Sequence, residues 1–457
     1  MNWNNLHLIQ GKNIYLAYCY PANSLSLIDK SVYHALLALK EGIAVQKVLE
    51  MSREKENLSL FIQSLYRSLN IDNTIRNDNK IKRRKVIKRI TLHVANDCNL
   101  RCKYCYAGGG DYGQVRNLMT RQTAENFVDF CIREFDQVEK IVFFGGEPIL
   151  NIEVMELVCS RFKMYKEKGK LSMLPVFIII TNGTILTPAV LQFVKNNISF
   201  ITVSIDGPED INDINRVYRN GKGSYKKISQ FIHTILQETK VKISYEATFT
   251  QSHIDAHYTH DDITKALKNE FGINGSIVNE KTLCLKSQNL LDYWDSVDRK
   301  YLIDTNFEYL PRDFWAVLHS ITNRKKNDFC PIIDTRFAVG ADGDIFACQM
   351  LNGIRECRLG NINGTNVYNS PELYKPFDVD VNFKDNDKCK LCWAQKLCGG
   401  CTVQRFFDDK ANRFLSEPDQ CACELTLQCI DRMLLTIALI RKDKELWTAL
   451  LEKKRNK

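Results

Sequence analysis

Apolar and polar positions alternate in blocks along most of this chain. Between residues 87 and 283, short runs rich in β-branched and aromatic residues recur: Ile90–Val94, Ile141–Phe144, Val176–Ile180, Ile201–Ile205, Val241–Phe249 and Gly275–Val278. Near-continuous apolar runs of this length read as strands covered on both faces, as in a parallel sheet. Between them, apolar residues recur three and four apart in Arg121–Phe135, Ile152–Lys168, Pro188–Lys195, Tyr225–Gln237 and Asp261–Asn269. That spacing predicts amphipathic helices. Strand–helix alternation predicts a parallel sheet with right-handed crossovers, built as an open partial barrel or as a doubly wound sheet. In either, the site lies at the carboxyl ends of the strands.

The flanks read differently. Ile14–Tyr20 and Ser24–Asp29 surround the turn residues Pro21-Ala22-Asn23 and predict a hairpin. Helical spacing follows in Ser31–Lys40, Val45–Met51 and Leu58–Leu69. Residues 1–80 therefore read as a small winged-helix-like module, and the polar, basic stretch Asn77–Lys85 as a solvated linker. The barrel spans 87–283 and a helical connection 284–325. Residues 326–430 combine low apolar density with crowded cysteines, the pattern of a lobe folded around metal. A helical pattern from Glu424 to Trp447 leads into a C-terminal helix at 431–457.

Composition adds one anomaly. The chain has 457 residues, 44% hydrophobic and 26% charged, enough apolar material for a full core. No apolar run approaches the roughly 20 residues that cross a bilayer. The start Met1-Asn2-Trp3-Asn4 lacks a signal peptide, so a cytoplasmic location is expected. Seventeen cysteines are then unexpected. Cytosolic thiols stay reduced, so they point to metal or redox chemistry rather than disulfides. The net charge of +9 suits an acidic partner or a plain basic surface.

Cys98, Cys102 and Cys105 follow the first barrel strand. Three thiolates from one loop can hold a [4Fe–4S] cluster and leave one iron open, or supply three of four zinc ligands. The Cys-x3-Cys-x2-Cys loop, with Tyr104 before its last cysteine, resembles the radical S-adenosylmethionine (SAM) superfamily. Further motifs keep the same order: Gly145-Gly146-Glu147-Pro148 after the second strand, Thr181-Asn182-Gly183-Thr184 after the third, Ser204-Ile205-Asp206-Gly207 after the fourth, then Arg216. Where many relatives have His-Asp before that arginine, this chain has Asn212-Asp213. The resemblance implies a SAM site formed by Tyr104, Gly145, Gly146, Glu147, Pro148, Asn182, Ser204, Asp206 and Arg216. It implies that Glu147 and its turn receive the amino group of the methionine moiety, and that Arg216 lies near the carboxylate.

The remaining cysteine spacing is similar to the SPASM extension of radical enzymes that modify peptides and proteins. One departure is the pair Gly399-Gly400 where three residues are usual. The resemblance implies two auxiliary [4Fe–4S] clusters, three clusters in all. Cys330, Cys348 and Cys401 would hold the first, with an open iron or with Cys284 or Cys357 as the fourth ligand. Cys389, Cys392, Cys398 and either Cys423 or Cys421 would hold the second, with Cys423 preferred. Cys19, Cys131, Cys159 and Cys429 read as small packing residues. His253, His257 and His260 read as solvated.

The implied fold class is α/β: a partial (β/α)6 TIM-like barrel with an N-terminal winged-helix-like peptide-recognition module and a C-terminal Cys-rich SPASM domain. The implied function is a maturase that forms a thioether or other cross-link in a ribosomal peptide. Its leader would bind the N-terminal module as an added strand, and an electron donor such as flavodoxin or ferredoxin would reduce the clusters. The alternative is an anaerobic sulfatase-maturing enzyme, which makes formylglycine. That group commonly has Asp after the Cys348 position, where this chain has Gln349. From another class comes a non-enzymatic zinc protein binding nucleic acid; it gives no reason for the Gly-Gly-Glu-Pro register. No membrane partner is expected.

Overall fold

The computed structural model describes residues 3–52, 55–69, 86–280, 291, 294–308, 310–324, 330, 335–364, 386–408 and 413–455. The stretch Asn77–Lys85, expected to be a linker, lies outside them, and so does Cys284.

The chain opens with a three-stranded antiparallel meander, β1 (Leu6–Gln10), β2 (Tyr15–Cys19) and β3 (Ser24–Ile28). The helices α1 (Lys30–Lys40), α2 (Val45–Met51) and α3 (Lys55–Leu69) follow. The expected hairpin is β2–β3; β1 is an addition. Alternation along β2 sends Ala17 and Cys19 to the module's own helices, where they meet Leu36, Leu39 and Ile62. Leu16 and Tyr18 point the other way, into a core shared with Phe314, Leu318 and Ile437 from the C-terminal half.

The central sheet has nine strands. Six parallel ones are β4 (Arg89–Ala95), β5 (Lys140–Gly145), β6 (Val176–Thr181), β7 (Phe200–Ser204), β8 (Lys242–Phe249) and β9 (Gly275–Asn279). They neighbour one another in sequence order. A doubly wound sheet reverses its strand order at a switch point, and among these six strands the order never reverses. The helices therefore lie on one face: α4 (Arg121–Glu134), α5 (Ile152–Glu167), α6 (Pro188–Asn197), α7 (Glu209–Asn215), α8 (Tyr225–Glu238) and α9 (His260–Phe271). Ile90, Leu92, Val94, Phe143, Ile179, Val203 and Tyr245 point into that helix-covered core. Alternate positions, Arg89, Thr91, His93, Phe144, Ser204 and Glu246, occupy the opposite, inner face. This is the layering of a partial (β/α) barrel.

One expected boundary falls inside an element, and the expected lobe shares a sheet with the barrel. The strand β10 (Arg336–Val339) pairs in parallel with β4, and β11 (Asp344–Phe346) and β12 (Arg358–Asn361) extend the sheet. The cysteine-rich lobe thus begins within the barrel sheet. Beyond α10 (Arg312–Asn323), α11 (Gln420–Lys442) runs without a break across the expected boundary at 430. Asp419 caps it, accepting from the Ala422 amide at 2.8 Å. A short α12 (Lys444–Arg455) follows a break at Asp443. No helix among the described residues is long and apolar enough to cross a membrane.

Candidate active site

The loop after β4 carries Cys98, Cys102 and Cys105. Arg101 pins it, its Nη1 donating to the carbonyls of Cys98 at 2.7 Å, Leu100 at 2.5 Å and Gly109 at 3.1 Å. The sulfurs face amide donors. Cys98 Sγ accepts from the Leu100 amide at 3.4 Å and from Asn182 Nδ2 at 3.6 Å; Cys105 Sγ accepts from the Gly109 amide at 3.4 Å. Burial pushes the Cys98 thiol up to about 12, with Glu147 and Cys102 adding to the rise. Burial also raises Cys102, to which Cys105 adds. Cys98 and Cys102 thus feel the neighbouring sulfurs, and the N–H donors at Cys98 oppose the rise there.

Gly145 and Gly146 allow the second motif to lie against this loop. A Cβ on Gly145 would stand 2.2 Å from the Ala95 carbonyl oxygen, and one on Gly146 2.2 Å from that of Asp97. Gly146 and Glu147 donate their amides to those two carbonyls, each at 2.8 Å. Glu147 is fully buried. Its Oε1 accepts from the Ile149 amide at 3.0 Å and Thr181 Oγ1 at 2.7 Å, and its Oε2 from the Asn182 amide at 2.7 Å. The carboxylate therefore turns inward, tying the end of β5 to the end of β6. The turn's backbone lies against the cysteine loop, and the Glu147 carboxylate stands within electrostatic reach of Cys98. Pro148 opens a buried turn at Pro148–Asn151.

At the ends of β7 and β8 a buried charge network forms. Tyr104 Oη donates to Asp206 Oδ2 at 2.7 Å and Arg216 Nη1 donates to Tyr104 Oη at 2.5 Å. Arg216 and Asp206 lie 3.8 Å apart, with side chains 8% and 0% exposed. Burial raises the Asp206 carboxyl, opposed by Arg216 and the Tyr104 hydroxyl. Arg216 Nε is buried without a partner, so the guanidinium is half-satisfied by the protein. His253 is wholly buried, not solvated: its Nε2 lies 2.9 Å from the Asp206 carbonyl oxygen and it stacks on Phe249. Asn182 joins the groups, its Nδ2 donating to Asn99 Oδ1 at 2.9 Å. Ser204 is half-buried at the end of β7.

The later cysteines form two groups. Burial pushes the Cys348 thiol up to about 12, with Cys401 and Cys330 adding to it. The Cys330 amide donates to the Gly400 carbonyl at 2.8 Å, so the tight Gly399-Gly400 turn brings Cys401 alongside. Burial likewise pushes Cys392 up to about 11, with Cys398, Cys423 and Cys389 adding. Cys423, in the first turn of α11, feels Cys389 in return. Cys357 is buried in the apolar cluster beside Cys330 and Cys348, yet the charge that acts on it is Glu356. Among the described residues no three Cys, His, Asp or Glu side chains close round one point as the ligands of a single ion do. Each thiolate of a [4Fe–4S] cluster binds its own iron, so such ligands stand wider apart.

Several inner-face residues escaped the sequence reading. Glu246 lies within electrostatic reach of both Arg89 and Arg216. His93 stands edge-on to Tyr112 and Phe144 at 5.1 and 5.3 Å. The available signal was a charged residue at an inner-face register of an otherwise apolar strand.

The Radical SAM superfamily profile matches residues 92–268, from within β4 into α9. Residues 92–268 are a radical SAM domain. The chain is accordingly an enzyme of the radical SAM oxidoreductase type. The radical SAM cyclopropyl synthase TigE of Paramaledivibacter caminithermalis is 24% identical over 443 residues, 89% of each chain. A cysteine-type anaerobic sulfatase-maturating enzyme of Clostridium perfringens is 25% identical over 332 residues, 67% of this chain and 86% of that one. Among solved structures, anSMEcpe with bound AdoMet aligns at a TM-score of 0.62 and 19% identity, covering 79% of this chain and 98% of that one. The form with bound AdoMet and the Cp18Cys peptide aligns at 0.61 and 19%, covering 77% and 99%. These likenesses carry the partial-barrel fold.

Proposed function

We propose that this radical SAM enzyme abstracts a hydrogen atom from a side chain of a peptide or protein held over the inner face of the sheet. The observation that carries it is the meeting of the Cys98–Cys105 loop with the Tyr104–Asp206–Arg216 network at the carboxyl ends of the strands. Cys98, Cys102 and Cys105 would hold the catalytic [4Fe–4S] cluster. Gly145, Gly146, Pro148, Asn182, Ser204 and Arg216 would surround SAM, with Glu147 and Asp206 positioning the turn and the arginine. Arg216, with one buried N–H unspent, suits a carboxylate. When bound, the cluster and SAM supply a 5′-deoxyadenosyl radical, and a small electron-transfer protein such as flavodoxin or ferredoxin supplies the electron. The chain's part is to orient the cofactor and to keep water from the reacting centre. Cys330, Cys348 and Cys401, and Cys389, Cys392, Cys398 and Cys423, would hold two auxiliary clusters.

Two chemistries are open to such a site. The likeness to sulfatase-maturating enzymes, in sequence and over nearly the whole of anSMEcpe, supports oxidation of one Cys or Ser to formylglycine ahead of cross-link formation. This reverses the order given by the sequence motifs. Cross-linking keeps specific support in Gln349, which cannot serve as a base beside Cys348, and in an N-terminal module whose β3 edge could accept a leader strand. Anaerobic incubation of the reconstituted enzyme with SAM and a Cys-containing peptide separates the two by mass. Formylglycine requires loss of sulfur and gain of oxygen; a thioether requires loss of two hydrogens with sulfur retained. Deuterium passing from neither kind of peptide into 5′-deoxyadenosine would reject the peptide reading.

A further inference from the structure

The parallel register of β4 and β10 sets Arg336 directly beside Arg89. Both lie on the inner face, since Ile90 and Phe337 beside them enter the helix-covered core. Each guanidinium has its Nε buried without a partner. Two adjacent half-buried cations, each with its Nε shut off from water, are costly unless an anion lies between them. Glu246 supplies one negative charge within reach of Arg89. The other counter-charges in reach among the described residues are sulfurs. Arg336 Nη1 donates to Cys330 Sγ at 3.8 Å, and Arg89 lies within electrostatic reach of both Cys348 and Cys330. Neutral thiols would leave the two guanidiniums largely uncompensated, whereas thiolates shared with an anionic cluster would balance them. A negative neighbouring site gives both guanidiniums a reason to stand where they do.

We propose that Arg89 and Arg336 are a paired positioning and tuning element for the iron–sulfur cluster on Cys330, Cys348 and Cys401. The inference rests on the auxiliary-cluster reading above and extends it to how that cluster is poised. A one-electron reduction adds negative charge to the cluster. Guanidinium charge and N–H donation toward the sulfurs stabilise the reduced form more than the oxidised one, and so raise the reduction potential. The pair would thus make this cluster a better electron acceptor for chemistry on the inner face. At Cys423 of the other group the cations in reach are Arg405 and Lys388 rather than this pair.

The test is a dye-mediated dithionite titration of the reconstituted full-length enzyme, followed by electron paramagnetic resonance, with iron and sulfide counted in parallel. Arg336→Gln should retain iron and shift one midpoint to more negative values by a tenfold change in the one-electron equilibrium, about 59 mV. Arg89→Gln should shift the same midpoint in the same direction, and the other two clusters should not move. Retained iron with an unmoved midpoint would overturn the pair and leave the cluster standing. A Cys330/Cys348/Cys401→Ala triple variant with wild-type iron would overturn the cluster and the pair together. Should Arg336→Gln lose the cluster, Arg336→Lys decides: retention there supports charge compensation, and loss in both marks a folding role and overturns the proposal.

Discussion

A Cβ on Gly146 would meet the Asp97 carbonyl oxygen at 2.2 Å and the Gly110 Cα at 2.8 Å, backbone atoms that cannot swing aside. Gly146→Ala should therefore displace the cysteine loop by a fraction of an ångström or more. Misplacement on that scale costs on the order of 100-fold in rate, so 5′-deoxyadenosine formation should fall by about that factor in a soluble, folded variant. Removing Cys98, Cys102 and Cys105 together should abolish 5′-deoxyadenosine while the iron held elsewhere stays, as chromatography and iron assay would show. His93 gives a pH signature. Burial holds its imidazole down at about 3 against an ordinary value of 6.5. The unfolded chain gains a proton below about pH 6.5 that the folded chain refuses. Stability should be full above that value and fall as pH drops toward 3. Urea titrations at pH 7 and 4.5 should show a smaller difference in His93→Gln, which keeps an acceptor for the Asn352 amide. The cysteine, glycine and arginine positions were legible because their chemistry is carried by short local motifs. The inward turn of Glu147 was not, because it depends on Thr181 and Asn182, brought close only by the pairing of β5 with β6.

At the scale of elements, the parallel strands were legible because their helix-side residues form near-continuous apolar runs. Glu246 was hidden inside one of those runs, and Arg89 stood just outside another. β1 was missed because its five residues, Leu-His-Leu-Ile-Gln, lean on groups far along the chain. His7 Nε2 lies 2.7 Å from Asp431 Oδ1, and the His7 ring stacks on Trp393 at 3.6 Å. Cys421 and Cys423 both stand in the first turn of α11. Neighbours two apart on a helix point in nearly opposite directions. The module's role can be probed at one exposed edge position. Leu27 on β3 is 47% exposed. If β3 receives a leader strand, Leu27→Asp should weaken capture of a leader-bearing peptide, measured by anisotropy, and leave peptide-free cleavage of SAM unchanged.

For the whole molecule, the metal load follows from three groups of thiols. Full reconstitution should reach three [4Fe–4S] clusters, about 12 iron per chain, and saturation near one cluster would contradict both auxiliary sites. Domain organisation was the least legible level. Composition separated a module, a barrel and a cysteine-rich lobe, but packing couples them. β10 belongs to the barrel sheet while its neighbours carry the lobe, and the N-terminal sheet fills the groove left by α10 and α11. Burial of Leu16, Tyr18 and Leu25 against Phe314 and Ile437 is worth roughly 1.5–3 kcal/mol for each fully buried large side chain. Removing residues 1–80 should therefore yield aggregating protein, visible by size-exclusion chromatography, rather than a free-standing catalytic core.

That shared core bears on attempts to retarget the enzyme by grafting. A chimera that exchanges residues 1–80 for the corresponding part of a relative would place a foreign surface against Trp393, which neighbours Cys392. The crossover would need to carry α10, the Trp393 turn and the Asp431 side of α11 with it. Binding specificity and cofactor loading are in this sense inherited together, and the unit of exchange is a set of four separated segments rather than one.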